Sequence, residues 1–78
     1  HANTENLFKI FDMFEIEAKS LVEKKISLQA YDQCLKASHI FNVLDARGAI
    51  SVAQRAEYIS RIREITKSAA AVYIDTQK

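Results

Sequence analysis

The chain has 78 residues, of which 49% are hydrophobic and 27% are charged, and its formal net charge is +1. This length allows one small domain with a single core, and the composition is unlike that of disordered chains. The charge is too small to indicate a polyanionic partner, and a single cysteine, Cys34, excludes an internal disulfide. No apolar run is long enough to span a membrane. We therefore expect a cytoplasmic location and no membrane partner.

The near absence of helix breakers favours an all-α chain, because the sequence contains no proline and one glycine. We predict a three-helix antiparallel bundle-like domain, with helices over about residues 5–25, 28–44 and 52–74. Short turns join the helices, and no linker divides the chain. Residues 1–78 are therefore expected to form a single helical domain.

The first predicted helix has the clearest amphipathic pattern, with Asn3 or Thr4 as its expected cap. Met13 and Ile16 lie away from its apolar face, so a second element could pack on its back. The apolar face comprises Leu7, Ile10, Phe11, Phe14, Ala18, Leu21 and Val22.

The second predicted helix starts after Ser27, its expected cap. Helices that are apolar over more than half of their circumference are usually central, so we expect this one to be the most buried. Asp32, Gln33 and Lys36 occupy its narrow polar side. The apolar arc comprises Leu28, Ala30, Tyr31, Cys34, Leu35, Ala37, Phe41 and Leu44.

A turn then separates the second helix from the third. Gly48 suits the left-handed position that follows a helix, and Ser51 with Gln54 has the spacing of a capping box. The predicted apolar side of the third helix comprises Val52, Ile59, Ile62, Thr66, Ala69, Ala70 and Tyr73.

Arg55 projects to the middle of this predicted apolar side. An unpaired buried charge is very costly, so we expect a carboxylate to hold Arg55. Asp45 is the first candidate and Asp32 the second.

Catalytic and metal sites find little support in the residues. Ser38, His39 and Asp45 include the residue types of a catalytic triad, but adjacent residues of a helix point about 100° apart and do not face each other. One cysteine and one internal histidine supply no ligand pair with zinc spacing, and a single glycine forms no phosphate-binding loop. We therefore predict no catalytic, cofactor-binding or metal-binding residue in this chain.

Nucleic-acid binding is a weaker alternative. Residues 47–78 contain six Lys or Arg and three Asp or Glu. A helical wheel scatters them, with Arg63 and Lys67 beside the apolar side and Arg61 on the far side between Glu57 and Glu64. The residues alone favour a helical interaction or scaffold domain, and the alternative is a free-standing nucleic-acid-binding module.

A long stretch is similar to a known family. Residues 30–63, "AYDQCLKASHIFNVLDARGAISVAQRAEYISRIR", resemble the C-terminal helical region of the alpha subunit of bacterial tetrameric glycyl-tRNA synthetase. The run "LDARGAIS" after "KASHxFN" carries most of the resemblance, and "FDMFEIEA" upstream resembles the preceding helix of that family.

The resemblance implies a class II aminoacyl-tRNA synthetase that activates glycine with ATP and magnesium and transfers it to its tRNA. It implies two alpha and two beta chains, and a catalytic core that these residues lack. We therefore expect a C-terminal fragment of a longer chain, inactive alone, that supports the core and subunit assembly. Met13, Ile16, Arg61, Arg63 and Lys67 are its candidates for contact with tRNA or another subunit.

Overall fold

The computed structural model describes the backbone of residues 2–76 and the side chains of residues 4–76. It contains three α-helices: α1 spans Ala2–Glu23, α2 spans Ser27–Ala46 and α3 spans Val52–Thr76. The prediction of an all-α fold with three helices is confirmed. Each predicted boundary lies within three residues of the observed one.

The two predicted N-caps are wrong. Asn3 and Thr4 lie inside α1, and Ser27 is the first residue of α2 rather than its cap. Ile26 occupies the cap position of α2 and makes no side-chain capping hydrogen bond. At the starts of α1 and α2, polar residues therefore indicate the approximate place of the boundary but not the capping residue.

The three helices form an elongated body of 45 × 21 × 15 Å. Helix α2 runs antiparallel to α3, since Asp45 near its end meets Arg55 near the start of α3, while Ser27 and Tyr73 line one cavity at the opposite end. Helices α1 and α3 both pack more extensively on α2 than on each other. None of the three described helices combines the length and apolar content needed to cross a bilayer.

The core changes character along the bundle. At one end the ring of Tyr58 contacts three phenylalanines, with centroid distances of 5.8 Å to Phe8, 4.8 Å to Phe11 and 6.4 Å to Phe41. Towards the other end the helices meet through small side chains that are almost completely buried, namely Ala18, Ala30 and Ala69. Aromatic rings therefore fill the core at one end, and small alanine side chains fill it towards the other.

The predicted apolar face of α1 is confirmed, because all seven of its residues are buried or half-buried. The prediction that α2 is the most buried helix is also confirmed. It contributes five buried residues, Ala30, Cys34, Ala37, Phe41 and Leu44, whereas α1 and α3 contribute three each. Part of the predicted arc of α2 is wrong, since Leu28, Tyr31 and Leu35 are 71%, 47% and 54% exposed.

The predicted buried face of α3 is right in part, since Ala69 is buried and Ile59, Ile62 and Thr66 are half-buried. Its orientation is nevertheless wrong. Tyr58, Ile65 and Ala69 are buried, whereas Val52 is 89% exposed and Tyr73 is 47% exposed. Together with the half-buried Ile62 and Val72, these buried residues repeat at intervals of four and three. This face is turned by about 80° from the predicted one, at about 100° per residue. In the observed orientation of α3, the Tyr58 ring packs against the phenylalanines.

Both turns between helices use the same hydrogen-bonding motif. After α2, Gly48 N–H donates to the Asp45 carbonyl and Ala49 N–H to the Leu44 carbonyl, with Gly48 at φ 68°. After α1, Lys25 N–H donates to the Val22 carbonyl and Ile26 N–H to the Leu21 carbonyl. These are Schellman motifs, and the first turn places Lys25 in the left-handed region, at φ 60°.

The start of α3 is capped by two reciprocal hydrogen bonds. Gln54 N–H donates to Ser51 Oγ at 3.1 Å, and Ser51 N–H donates to Gln54 Oε1 at 3.0 Å. This is a capping box, which satisfies two backbone donors at the helix end. The segment from Asp45 to Ser51 is therefore a helix stop followed by a helix start.

Lys25→Gly is expected to raise the free energy of unfolding by about 0.5 kcal/mol, because glycine adopts a positive φ without a Cβ clash. The exposed ion pair that it removes, Lys25 Nζ to Asp75 at 4.0 Å, contributes little. Thermal and urea unfolding followed by circular dichroism measure the change. Gly48→Ala is the matched opposite and should lower stability by about 1 kcal/mol, although its Cβ would meet nothing within 4 Å. A destabilising Lys25→Gly would contradict the backbone argument.

Candidate functional site

A charged cluster joins α1 to α3. Arg61 donates from Nη2 to Glu15 Oε1 at 2.6 Å and from Nε to Glu15 Oε2 at 3.0 Å. Its Nη2 also donates to Asp12 Oδ1 at 2.7 Å. We call Arg61, Glu15 and Asp12 the Arg61 cluster. The paired bonds to Glu15 form the fork geometry in which arginine binds a carboxylate most strongly.

Two aromatic rings enclose the guanidinium of the Arg61 cluster. Arg61 Cζ lies 4.9 Å from the ring centroid of Phe11 and 4.8 Å from that of Tyr58. These distances fall within the range of cation–π attraction. Glu15 is only 8% exposed, so its charge interacts with Arg61 at the edge of the core and partly shielded from water.

Helical spacing explains how the cluster forms. Asp12 and Glu15 are three residues apart on α1, and Tyr58 and Arg61 are three residues apart on α3, so each pair shares one side of its helix. The contacts of Tyr58 with Phe8 and Phe11 set the level of α3 against α1. Arg61, almost one turn after Tyr58, then lies beside the two carboxylates.

The ionisation of the cluster follows from these bonds. The hydrogen bonds from Arg61 hold the pKa of Glu15 below its ordinary value, although burial acts in the opposite direction. The same bond to Glu15 raises the pKa of Arg61, with a further contribution from Asp12. Glu15 is therefore an anion at neutral pH and a poor proton acceptor, so the geometry is that of a structural ion pair rather than of acid–base catalysis.

The structure corrects the predicted place of Arg61. The sequence pattern put it on the polar far side of α3, whereas its side chain is 28% exposed and is bound to two carboxylates of α1. The orientation of α3 that buries Tyr58 and Ile65 also places Arg61 beside α1. Its guanidinium therefore binds Glu15 and Asp12 within the bundle.

Arg55 shows the opposite deviation. Its Nη2 donates to Asp45 Oδ1 at 2.6 Å, which is the partner predicted first. Asp32 instead pairs with Lys36 at 3.2 Å. The predicted burial is wrong, because the side chains of Arg55 and Asp45 are 55% and 31% exposed. Because α3 is oriented with Tyr58 facing the core, Arg55 lies at the surface, where an ion pair contributes little.

The other contact candidates lie at the surface. Met13 and Ile16 are each 66% exposed on the side of α1 that faces away from the core. Arg63 and Lys67 are exposed on α3, and neither makes an ion pair within 4.0 Å among the described residues. These four side chains are therefore accessible to another molecule.

The remaining chemical groups do not assemble into a site. Over residues 2–76, no side-chain hydrogen bond joins Ser38 to His39 or either of them to Asp45. The same residues hold no group of three or more His, Cys, Asp or Glu side chains that could bind a metal ion. Burial raises the pKa of the Cys34 thiol, which makes Cys34 a poor nucleophile.

The comparison with protein families decides what kind of chain this is. The family model described as glycyl-tRNA synthetase alpha subunit matches residues 1–78. The chain belongs to this family. Glycyl-tRNA synthetase alpha subunits are parts of an aminoacyl-tRNA synthetase, a ligase of protein biosynthesis. The match includes residues 30–63, on which the resemblance in the sequence depends.

The Arg61 cluster has the features of a structural contact between helices. In this alpha-subunit chain the cluster joins two helices of a strand-free segment, residues 2–76, and it presents no free acid, base or nucleophile. The sequence pattern did not reveal the cluster, because a helical wheel built on the predicted apolar side of α3 puts Arg61 on the far side of that helix. A signal was available: Tyr58, Ile65 and Ala69 repeat at helical spacing and place Arg61 beside the buried face.

Acid is expected to destabilise the fold through Glu15. Because the pKa of folded Glu15 lies below its unfolded value, its contribution is complete above the ordinary glutamate pKa of about 4.3 and is lost as the pH falls through the folded value. Glu15→Gln should lower the free energy of unfolding at pH 7 and flatten the acid limb of the profile. Urea titrations from neutral to acidic pH measure both effects.

Asp32→Asn is the matched control, since Asp32 forms an exposed pair with Lys36. It should leave the acid limb nearly unchanged. An acid limb in Glu15→Gln as steep as that of the unmodified chain would show that Glu15 does not carry the pH dependence.

Proposed function

We propose that this segment is the helical domain of a glycyl-tRNA synthetase alpha subunit and that it supports the catalytic core and the assembly with partner chains. The whole enzyme, a class II synthetase of the cytoplasm, would join glycine to its tRNA with ATP and magnesium. The beta subunit and the core of the alpha subunit would be the protein partners of this domain. The family match over residues 1–78 supports the parent activity.

The observation that carries the supporting role is the apolar surface that the bundle leaves uncovered. Nine large hydrophobic side chains are exposed among the described residues. Single exposed apolar residues are ordinary, but contiguous ones mark interaction sites. They include Met13 and Ile16 on the back of α1 and Leu28, Tyr31 and Tyr73 on the side where α2 meets α3.

The residues in hand do not fit the cofactors of the parent enzyme. Magnesium requires oxygen ligands converging on one point, and no cluster of three potential ligands occurs in residues 2–76. Arg61, which could otherwise bind a phosphate, is held by Glu15 and Asp12. The proposal therefore assigns ATP and magnesium to the catalytic core and no chemical step to these helices.

The isolated chain is expected to attach no glycine to tRNA, because it presents no catalytic group. An aminoacylation assay with labelled glycine, ATP, magnesium and the glycine tRNA measures this, with the complete enzyme as the positive control. Charging above the background of a no-protein control would contradict the proposal.

The same sample distinguishes the nucleic-acid-binding alternative. A fluorescence titration against the tRNA at low and high salt should show no saturable binding. Tight binding that weakens steeply with salt, the property of phosphate contacts, would favour a nucleic-acid-binding module over a supporting domain. Arg63→Gln and Lys67→Gln would then locate the contact.

A further inference from the structure

An apolar groove lies between α2 and α3 on the side away from α1. It encloses about 340 Å³ and is lined by Ser27, Leu28, Tyr31, Ala69, Ala70 and Tyr73. Leu28 and Tyr31 are 71% and 47% exposed, and Tyr73 is 47% exposed. The groove therefore presents large hydrophobic side chains from two antiparallel helices to solvent.

The spacing of these side chains suits a helix as the occupant. Leu28, Tyr31 and Leu35 follow one line along α2 at intervals of three and four, and Leu35 is 54% exposed. Such a line forms a ridge about 10 Å long at a rise of 1.5 Å per residue. An amphipathic helix placed between this ridge and Tyr73 would complete a four-helix bundle.

The charges beside the groove differ between its two edges. On α3, Lys67 and Arg63 precede Ala70 by three and seven residues, so they lie along the same edge. Both are exposed and lack a carboxylate within 4.0 Å in the described part of the chain. On α2, Asp32 pairs with Lys36 at 3.2 Å, and Lys36 lies over the Phe14 ring of α1 rather than in the groove. The α3 edge is therefore cationic, whereas the α2 residues that line the groove are uncharged.

We infer that the groove binds an amphipathic helix of a separate polypeptide that carries carboxylates along the edge of its apolar stripe facing α3. The apolar stripe covers Leu28, Tyr31 and Tyr73, and the carboxylates pair with Arg63 and Lys67. Charge complementarity selects the partner and its orientation, and apolar burial supplies most of the affinity. The inference rests on the proposed assembly role and specifies the chemistry of the partner.

A synthetic helical peptide tests this directly. The probe is a peptide of about 20 residues, long enough to form helix in water, with leucine at the a and d heptad positions, glutamate along one flank and glutamine elsewhere. A second peptide has lysine in place of each glutamate. Fluorescence anisotropy should show the acidic peptide binding at least about fivefold more tightly, with the preference reduced at high salt.

Variants of the chain locate the contact. Leu28→Gln should weaken the acidic peptide about tenfold, which corresponds to 1.4 kcal/mol. Arg63→Glu with Lys67→Glu should reverse the preference and favour the lysine peptide. Val52→Gln is the matched control, since Val52 is 89% exposed and does not line the groove. Circular dichroism should show that all variants keep their helices.

Three outcomes would overturn the inference: equal binding of both peptides, no effect of Leu28→Gln, or an equal effect of Val52→Gln. Sedimentation equilibrium adds a fourth, because a dimer that Leu28→Gln dissociates would make a second copy of the chain the occupant. Aminoacylation by the isolated chain would overturn the proposed function without affecting these binding results. The two proposals therefore fail separately.

Discussion

Arg61 and Glu15 form a charged contact between α1 and α3, next to the aromatic part of the core. Their bidentate pair is partly enclosed, because Phe11 and Tyr58 flank the guanidinium and Glu15 is 8% exposed. Removing one member of such a pair leaves the other charge poorly solvated, a cost larger than the loss of a surface pair. Helices α1 and α3 each pack mainly on α2. The contact of Arg61 with Glu15, together with the ring of Tyr58, then fixes the orientation of α3 about its own axis.

The orientation of α3 about its own axis determines which surface is left for partners. With Tyr58, Ile65 and Ala69 inward, Tyr73 on the flank of α3 remains 47% exposed. It lines a groove together with Leu28 and Tyr31 of α2. The internal ion pair and the exterior apolar surface are therefore consequences of one orientation. In a chain of the glycyl-tRNA synthetase alpha subunit family, such a surface is consistent with a domain that functions within an assembly.

The parts of the fold that depend on local spacing could be predicted, and the parts that depend on helix rotation could not. The face of α1 and the turn at Gly48 follow from residues within a few positions of each other. The short turn after α1 could also be predicted, but the positive φ of Lys25 could not, because nothing in the sequence marks a lysine that adopts it. In α2 and α3 the apolar residues exceed what three helices can bury, so the pattern alone could not say which ones face inward. Arg61 was misplaced for the same reason.

A double-mutant cycle on Glu15 and Arg61 measures how strongly these two side chains interact in the folded chain. Glu15→Gln keeps the shape of the side chain, and Arg61→Met keeps apolar contact with the two rings. We expect a coupling free energy of unfolding of about 1–3 kcal/mol at neutral pH, clearly above that of the exposed Asp45–Arg55 pair measured in the same way. A coupling near zero, or one no larger than that of the exposed pair, would contradict the claim that this contact sets the orientation of α3.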